Sequence, residues 1–206
     1  MKLNVQILIF YEDNLFIFLN TYKLFNNLQE AFTQSFFHVS SIITSTGFSI
    51  GNIDIYPTSC QVLMLCLMVI SACSGSTCGG FKVARLLIIA KVIKQEILKT
   101  IHPNSIRSIT FDKKKVDDSV VRSTCNFMLL YILFLVIAIF VVSFDKVTLF
   151  QAINAVFTTF GNVGLCFEIS NFANYTILSK LTLSLAMLLG RLEILPLLVL
   201  FSGLKK

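Results

Sequence analysis

Charge is scarce in this chain: Asp, Glu, Lys and Arg make up 14% of its 206 residues, against about a quarter in soluble globular domains. Hydrophobic residues reach 55% and the mean hydropathy is +0.80. That balance excludes a disordered polymer, which needs charge to stay solvated, and an ordinary soluble domain. Proline and glycine are also few, at three and nine residues, which excludes collagen-like and Pro/Gly low-complexity chains. The arrangements that carry enzymatic chemistry are missing too. No Asp/Glu pair is set for acid–base work and no nucleophile stands with its base. Residues 75–80 are glycine-rich but lack the Lys-Ser/Thr ending and the flanking strand of a phosphate loop. The six cysteines, Cys60, Cys66, Cys73, Cys78, Cys125 and Cys166, lie mostly in apolar runs and read as small buried hydrophobes, not as a disulfide framework or a zinc site. Residues 3–10 have no small-residue cleavage site, so no signal peptide is expected. What remains is a polytopic, all-α membrane protein that is not an enzyme.

A membrane-spanning helix needs about 20 mostly apolar residues. Residues 126–144 meet that need without a single charge before the end of the run, and residues 175–201 meet it with Gly190, Arg191, Glu193 and Pro196 as interruptions. A third run starts at Thr58 and reaches the small-residue stretch from Ser71 to Gly80, a poor continuous helix, since each interior glycine costs about 1 kcal/mol relative to alanine. The N-terminal run before Glu12 and Asp13 is too short to span and looks like the end of a spanning helix.

Two further segments, residues 28–43 and 147–160, are amphipathic and too short to cross. Each leads into a glycine-containing polar tract, Thr44-Ser45-Thr46-Gly47-Phe48-Ser49 and Gly161-Asn162-Val163-Gly164-Leu165-Cys166. Extended backbone at membrane depth is tolerated only where protein buries it or water lines it, so these read as re-entrant helices followed by pore-lining tracts. Placing Gly47 on Gly164 aligns the whole layout, apolar segment, amphipathic helix, glycine tract, apolar segment, at an offset of about 117 residues. The organisation is therefore a first unit at 1–99, with a truncated first helix, a pore loop and a broken second helix. A basic connection follows at 100–120, then a complete second unit at 121–206.

Charge placement orients the units. Ten basic residues from Lys82 to Arg122 face four acidic ones between the units, which puts that connection in the cytoplasm and removes nucleic acid as its target. Both loops then open outward. The outer segments hold Glu12, Asp13, Glu30, Asp54, Asp145 and Glu168 against Lys23, Lys146 and Lys180, a net negative vestibule suited to a cation. Residues 91–122 are expected at the membrane surface, facing an acidic partner or anionic headgroups. His38, on the first re-entrant helix, is expected to pack or hydrogen-bond there, and His102 before Pro103 marks a bend or a partner contact.

A Thr/Gly/aromatic tract after a re-entrant helix can form a cation filter, because glycine permits backbone angles that turn carbonyl oxygens toward an axis. The stretches Ser41–Ser49, Cys73–Arg85, His102-Pro103 and Met187–Glu193 together, in order and spacing, resemble the TrkH/KtrB potassium transporters over roughly residues 28–204. The resemblance implies four helix–loop–helix units around a channel-like pore, of which this chain resembles the third and fourth. It places K⁺ at filter carbonyls of Thr44, Ser45, Thr46, Gly47, Phe48 and Ser49 in one unit. In the other, Asn162, Val163, Gly164, Leu165 and Cys166 take that place, where the family often has Pro and Gly at the last two positions. Cys166 carries a Cβ and resists positive φ. The resemblance further implies a bacterial inner-membrane, multi-pass location and no bound cofactor beyond the transported ion. Its implied partners are a cytosolic nucleotide-binding ring subunit of the TrkA/KtrA kind and a second pore chain or an N-terminal half. An alternative is a truncated remnant, or half of a split transporter, inactive alone.

Arg191 lies inside the last apolar run, where an arginine costs about 2.5–3.5 kcal/mol on insertion scales and so faces a partner or water. The repeat offset sets it level with Ser74, at the start of the loop that breaks the other unit's helix. Arg191 and the loop residues Ser74, Gly75, Ser76, Thr77, Gly79 and Gly80 are therefore expected to form a gate below the filter, the guanidinium binding freed carbonyls and repelling a cation.

Overall fold

The computed structural model describes residues 2–22, 24–25, 27–70, 80–101, 110–111, 114–168 and 172–192. Among them are seven α-helices: α1 (Lys2–Thr21), α2 (Leu28–Ile43), α3 (Thr58–Val69), α4 (Val83–Ile101), α5 (Asp118–Val142), α6 (Leu149–Gly161) and α7 (Ile177–Leu192). A short antiparallel ladder of β1 (Thr110–Phe111) and β2 (Lys114–Lys115) lies in the basic connection. Apart from that two-residue ladder, the regular structure among the described residues is helical, as the hydropathy pattern predicts.

α5, at 25 residues, rises about 37 Å and exceeds the roughly 30 Å hydrocarbon core. It is the helix among the described residues that is long and apolar enough to cross a membrane. α2 and α6, at 16 and 13 residues, reach only about 24 and 20 Å, which fits the re-entrant reading. α6 starts with a capping box in which the Thr148 hydroxyl accepts from the Gln151 N–H at 3.3 Å while the Gln151 side chain accepts from the Thr148 N–H at 3.1 Å. That satisfies two donors otherwise orphaned at a helix start.

α1 departs from the expectation of a short apolar stub, since it continues through Glu12 and Asp13 to Thr21. Its polar side chains turn back on the helix. Asn14 Nδ2 donates to the Phe10 carbonyl at 2.8 Å, Asn20 Nδ2 to Phe16 at 2.8 Å and Thr21 Oγ1 to Ile17 at 2.7 Å. Side chains that donate back to the preceding turn in this way need not end a helix. α4 likewise carries Lys91, Lys94 and Lys99 on regular helix, with Lys99 Nζ 2.9 Å from Glu96 Oε1.

α3 ends at Val69 and α4 begins at Val83, and the Phe81 N–H donates to the Val69 carbonyl at 2.8 Å. Gly80 is buried with φ +86. Ser74, Gly75, Ser76, Thr77 and Gly79, like His102 and Pro103, lie outside the described residues.

Two apolar cores result. One joins α4 to α7 around Phe127, Tyr131 and Phe160, with the Tyr131 and Phe160 rings edge-to-face at 4.7 Å. The other joins α1, α2 and α3 around Ile17, Val39 and Met64, and it takes in Val163, Leu165 and Phe167 from the second unit's tract. The second tract is therefore packed into the first unit.

Candidate functional site: two filter-like tracts

Both re-entrant helices end the same way. After α2 the Ser45 N–H donates to the Ile42 carbonyl at 2.9 Å and the Thr46 N–H to Ser41 at 2.8 Å. After α6 the Asn162 N–H donates to Thr159 at 3.1 Å and the Val163 N–H to Thr158 at 3.0 Å. Every residue in one pair is 117 positions from its counterpart, and the pattern is a Schellman motif. The left-handed residue is Ser45 at φ +52 and Asn162 at φ +53, and the glycine two residues on, Gly47 or Gly164, sits at φ +78 or +88. Helix ends commonly place glycine at the left-handed position; here a serine and an asparagine take it, and the glycine is kept for the extended tract. Positive φ in the second tract falls on Asn162 and Gly164, with the next case at Glu168, so Cys166 is spared the strain its Cβ would bring.

The tracts are neighbours. A Cβ added to Gly47 would run into the Val163 carbonyl oxygen and lie 3.6 Å from Gly164 Cα. Side chains from each re-entrant helix fasten its tract. Ser41 Oγ donates to the Phe48 carbonyl at 2.7 Å, and Thr158 Oγ1 accepts from the Gly164 N–H at 2.9 Å. Farther along, the Ile50 N–H donates to His38 Nε2 at 3.2 Å, and Asn154 Nδ2 donates to the Phe167 carbonyl at 2.6 Å. Ser41 and Thr158 were legible in principle, since each is a hydroxyl six residues before its glycine, but only the repeat makes that spacing meaningful.

In the first tract Thr44, Thr46 and Phe48 are exposed, Phe48 by 70%. The Thr44 and Thr46 hydroxyls are 2.7 Å apart, and the Ser45 hydroxyl is buried with no partner among the described residues. In the second tract Val163 and Leu165 are buried, and Asn162 Nδ2 donates to the Met187 carbonyl of α7 at 3.1 Å. The donors that the two tracts can offer a cation are backbone carbonyls and threonine hydroxyls, which suit a hard monovalent ion. Two of the acidic residues assigned to the outer vestibule meet at the tract ends, where the Glu168 N–H donates to Asp54 Oδ1 at 2.8 Å. Gln151 Nε2 holds the Glu168 carbonyl at 3.1 Å.

Arg191 lies in the last turn of α7 and is exposed. One residue before it, Gly190 sits so close to the end of α6 that a Cβ there would strike the Phe160 carbonyl oxygen. The structure thus places Arg191 beside the C-terminus of the second re-entrant helix, while its expected partner loop, apart from Gly80, is outside the described residues.

Comparisons with known proteins bear on this arrangement. The family profile of TrkH, described as a cation transport protein, matches residues 1–205. The Trk system potassium uptake protein TrkG of Escherichia coli (strain K12) is 37% identical over 180 residues, which are 86% of this chain and 37% of that protein. The Trk system potassium uptake protein TrkH of Salmonella typhimurium is 32% identical over 183 residues, 88% of this chain and 38% of that one. The crystal structure of the potassium transporter TrkH from Vibrio parahaemolyticus matches with a TM-score of 0.88 at 30% identity, covering 97% of this chain and 43% of that one. The chain spans less than half the length of these relatives.

Proposed function

The chain belongs to the TrkH family of cation transport proteins, and we propose that it supplies two adjacent quarters of a pore for potassium uptake. The observation that carries this reading is the contact of Gly47 with the Val163 carbonyl between two tracts of the same backbone form. Carbonyls of Thr44, Ser45, Thr46, Gly47 and Phe48, and of Asn162, Val163, Gly164 and Leu165, replace part of the hydration shell of K⁺. Asp54 and Glu168 at the outer ends raise the local cation concentration. Gly47→Ser in the assembled transporter is expected to lower the preference for K⁺ over Na⁺; an unchanged preference would reject the filter.

The regulatory side of the reading extends to the cytosolic face. Arg191, with Ser74, Gly75, Ser76, Thr77, Gly79 and Gly80, closes the pore below the filter, and a cytosolic nucleotide-binding ring subunit opens it by moving that loop. The pore chain sits in the bacterial inner membrane and pairs with a second pore chain. Arg191→Ala, or deletion of residues 75–79, should raise K⁺ flux in the closed state. Parental flux from both variants, each inserted normally, would leave Arg191 a structural tie.

A second reading, in which the two units are inactive without further chains, is favoured by the exposed first tract. Expressing residues 1–206 alone in a potassium-uptake-deficient host separates the readings, since growth at low K⁺ rejects the second.

A further inference from the structure

Positions 50 and 167 are equivalent, each three residues beyond its tract's glycine, and each is held by a fully buried polar side chain of the re-entrant helix. The two holds differ in kind. Asn154 reaches the Phe167 carbonyl as a donor, whereas His38 takes the Ile50 N–H as an acceptor. His38 and Asn154 are both 0% exposed. The other ring nitrogen, His38 Nδ1, lies 2.9 Å from the Tyr56 hydroxyl, itself 3% exposed, and the two rings meet edge-on at 5.4 Å.

The chemistry of the imidazole fixes its state. A nitrogen that accepts from an amide carries no proton, so the ring is neutral and its one proton is on Nδ1, where Tyr56 Oη accepts it. The opposite tautomer, and the imidazolium, would each set an N–H against the Ile50 N–H. Ile50 is 41% exposed but the ring is fully buried, so it is the ring N–H that would be left without an acceptor, which is costly, and the tract would move. With Ser41 on the Phe48 carbonyl, His38 is one of the α2 side chains that fasten the first tract and the backbone just beyond it.

We propose that His38, held as the Nδ1–H tautomer by Tyr56, is a positioning residue that sets the first tract and, through it, the discrimination between K⁺ and Na⁺. This rests on the reading of the tract as a filter. A pore that separates ions by carbonyl placement loses discrimination when one wall of carbonyls is free to shift.

Amide hydrogen exchange and ¹⁵N NMR on the chain itself in a membrane mimetic, with K⁺/Na⁺ competition in the assembled transporter, test it. His38→Leu should raise exchange at the Ile50 amide roughly tenfold, as the loss of a buried acceptor requires, and lower the preference for K⁺ over Na⁺. His38→Gln, which restores an acceptor oxygen, should recover part of both, and Tyr56→Phe should give an intermediate loss. A merely structural role would reduce the amount of assembled protein and leave ion preference intact. A proton on Nε2, an unchanged Ile50 amide, or parental ion preference in His38→Leu beside a collapsed preference in Gly47→Ser would overturn the proposal. If Gly47→Ser also keeps parental preference, the filter reading itself has failed and this assignment falls with it. Should His38→Leu not assemble, the NMR tautomer and the Tyr56→Phe preference still decide.

Discussion

The two tracts share their backbone but not their surroundings. Their helix-ending bonds match at an offset of 117 residues and their left-handed residues differ by one degree. Yet Val163 and Leu165 are packed into the first unit's core while Thr44, Thr46 and Phe48 stand exposed. A tract that is buried and one that is open therefore hold the same form. Local bonds to the parent helix set the shape, and the neighbouring unit decides only what is covered. The tracts also differ in how much room each glycine has. Gly47 lies against the Val163 carbonyl, whereas nothing lies within 4 Å of a Cβ built on Gly164.

That contrast yields the largest expected effect. Gly47→Ala combines a left-handed backbone with a collision against main chain that has no side-chain rotamer to relieve it, and should cost about 3 kcal/mol or more. Gly164→Ala meets open space and carries the left-handed penalty alone, about 1–2 kcal/mol. Thermal unfolding in detergent should rank them so, and equal losses would mean that the two tracts do not touch as described.

A smaller effect is expected where the fastening residues differ. Asn154→Leu leaves the Phe167 carbonyl without its donor but also removes an Asn154 oxygen that is buried without a partner among the described residues. The two terms oppose, so the net loss should be about 1–2 kcal/mol, toward the low end for a buried bond. A larger loss would show that this tract depends on its fastening more than its burial in the first core suggests. Asp54→Ala tests the join between the units, at most about 1 kcal/mol for an exposed pair. Its effect should show as faster exchange at the Glu168 amide, leaving the Ile50 amide unchanged.

Much of this contrast was legible in the chain and part of it was not. The polar tracts after two helices too short to span, and the spacing of Gly47 and Gly164, are carried by local pattern, which is why both helices and both glycines appear where the sequence puts them. α2 and α3 match in their bounds because a polar tract follows one and a proline precedes the other. α1 runs on through Glu12 and Asp13 to Thr21, since charge ends a hydropathy window without ending a helix. The burial of Val163 and Leu165 in a core built by α1, α2 and α3 was not legible, because it depends on contacts more than 90 residues apart in the chain. The role of Asn154 was hidden for a related reason: a lone amide on an apolar helix gives no sign of which backbone group it reaches.

The smallest expected effect concerns the outer end of α5. The Thr176 N–H, at the start of α7, donates to Asp145 Oδ2 at 3.2 Å. At the offset position the first unit has Leu28, so this acid-sensitive tie belongs to the second unit alone. Desolvation pushes the Asp145 carboxyl upward, but hydrogen bonds from Ser179 and Thr176 and the charge of Lys180 outweigh it and hold the carboxyl below the usual carboxylate range. A carboxyl depressed by folding stabilises the fold above its unfolded pKa of about 4, and that contribution is lost as pH falls through the folded value. Asp145 is only partly buried, so solvent screens much of the gain and the effect should be a small one. Unfolding midpoints measured from pH 6 down to pH 3 should therefore fall slightly more in the parent than in Asp145→Asn, and the two curves should converge at the acid end. A parental curve that runs parallel to that of Asp145→Asn through the same window would show that the Asp145 bond to α7 adds nothing to the second unit.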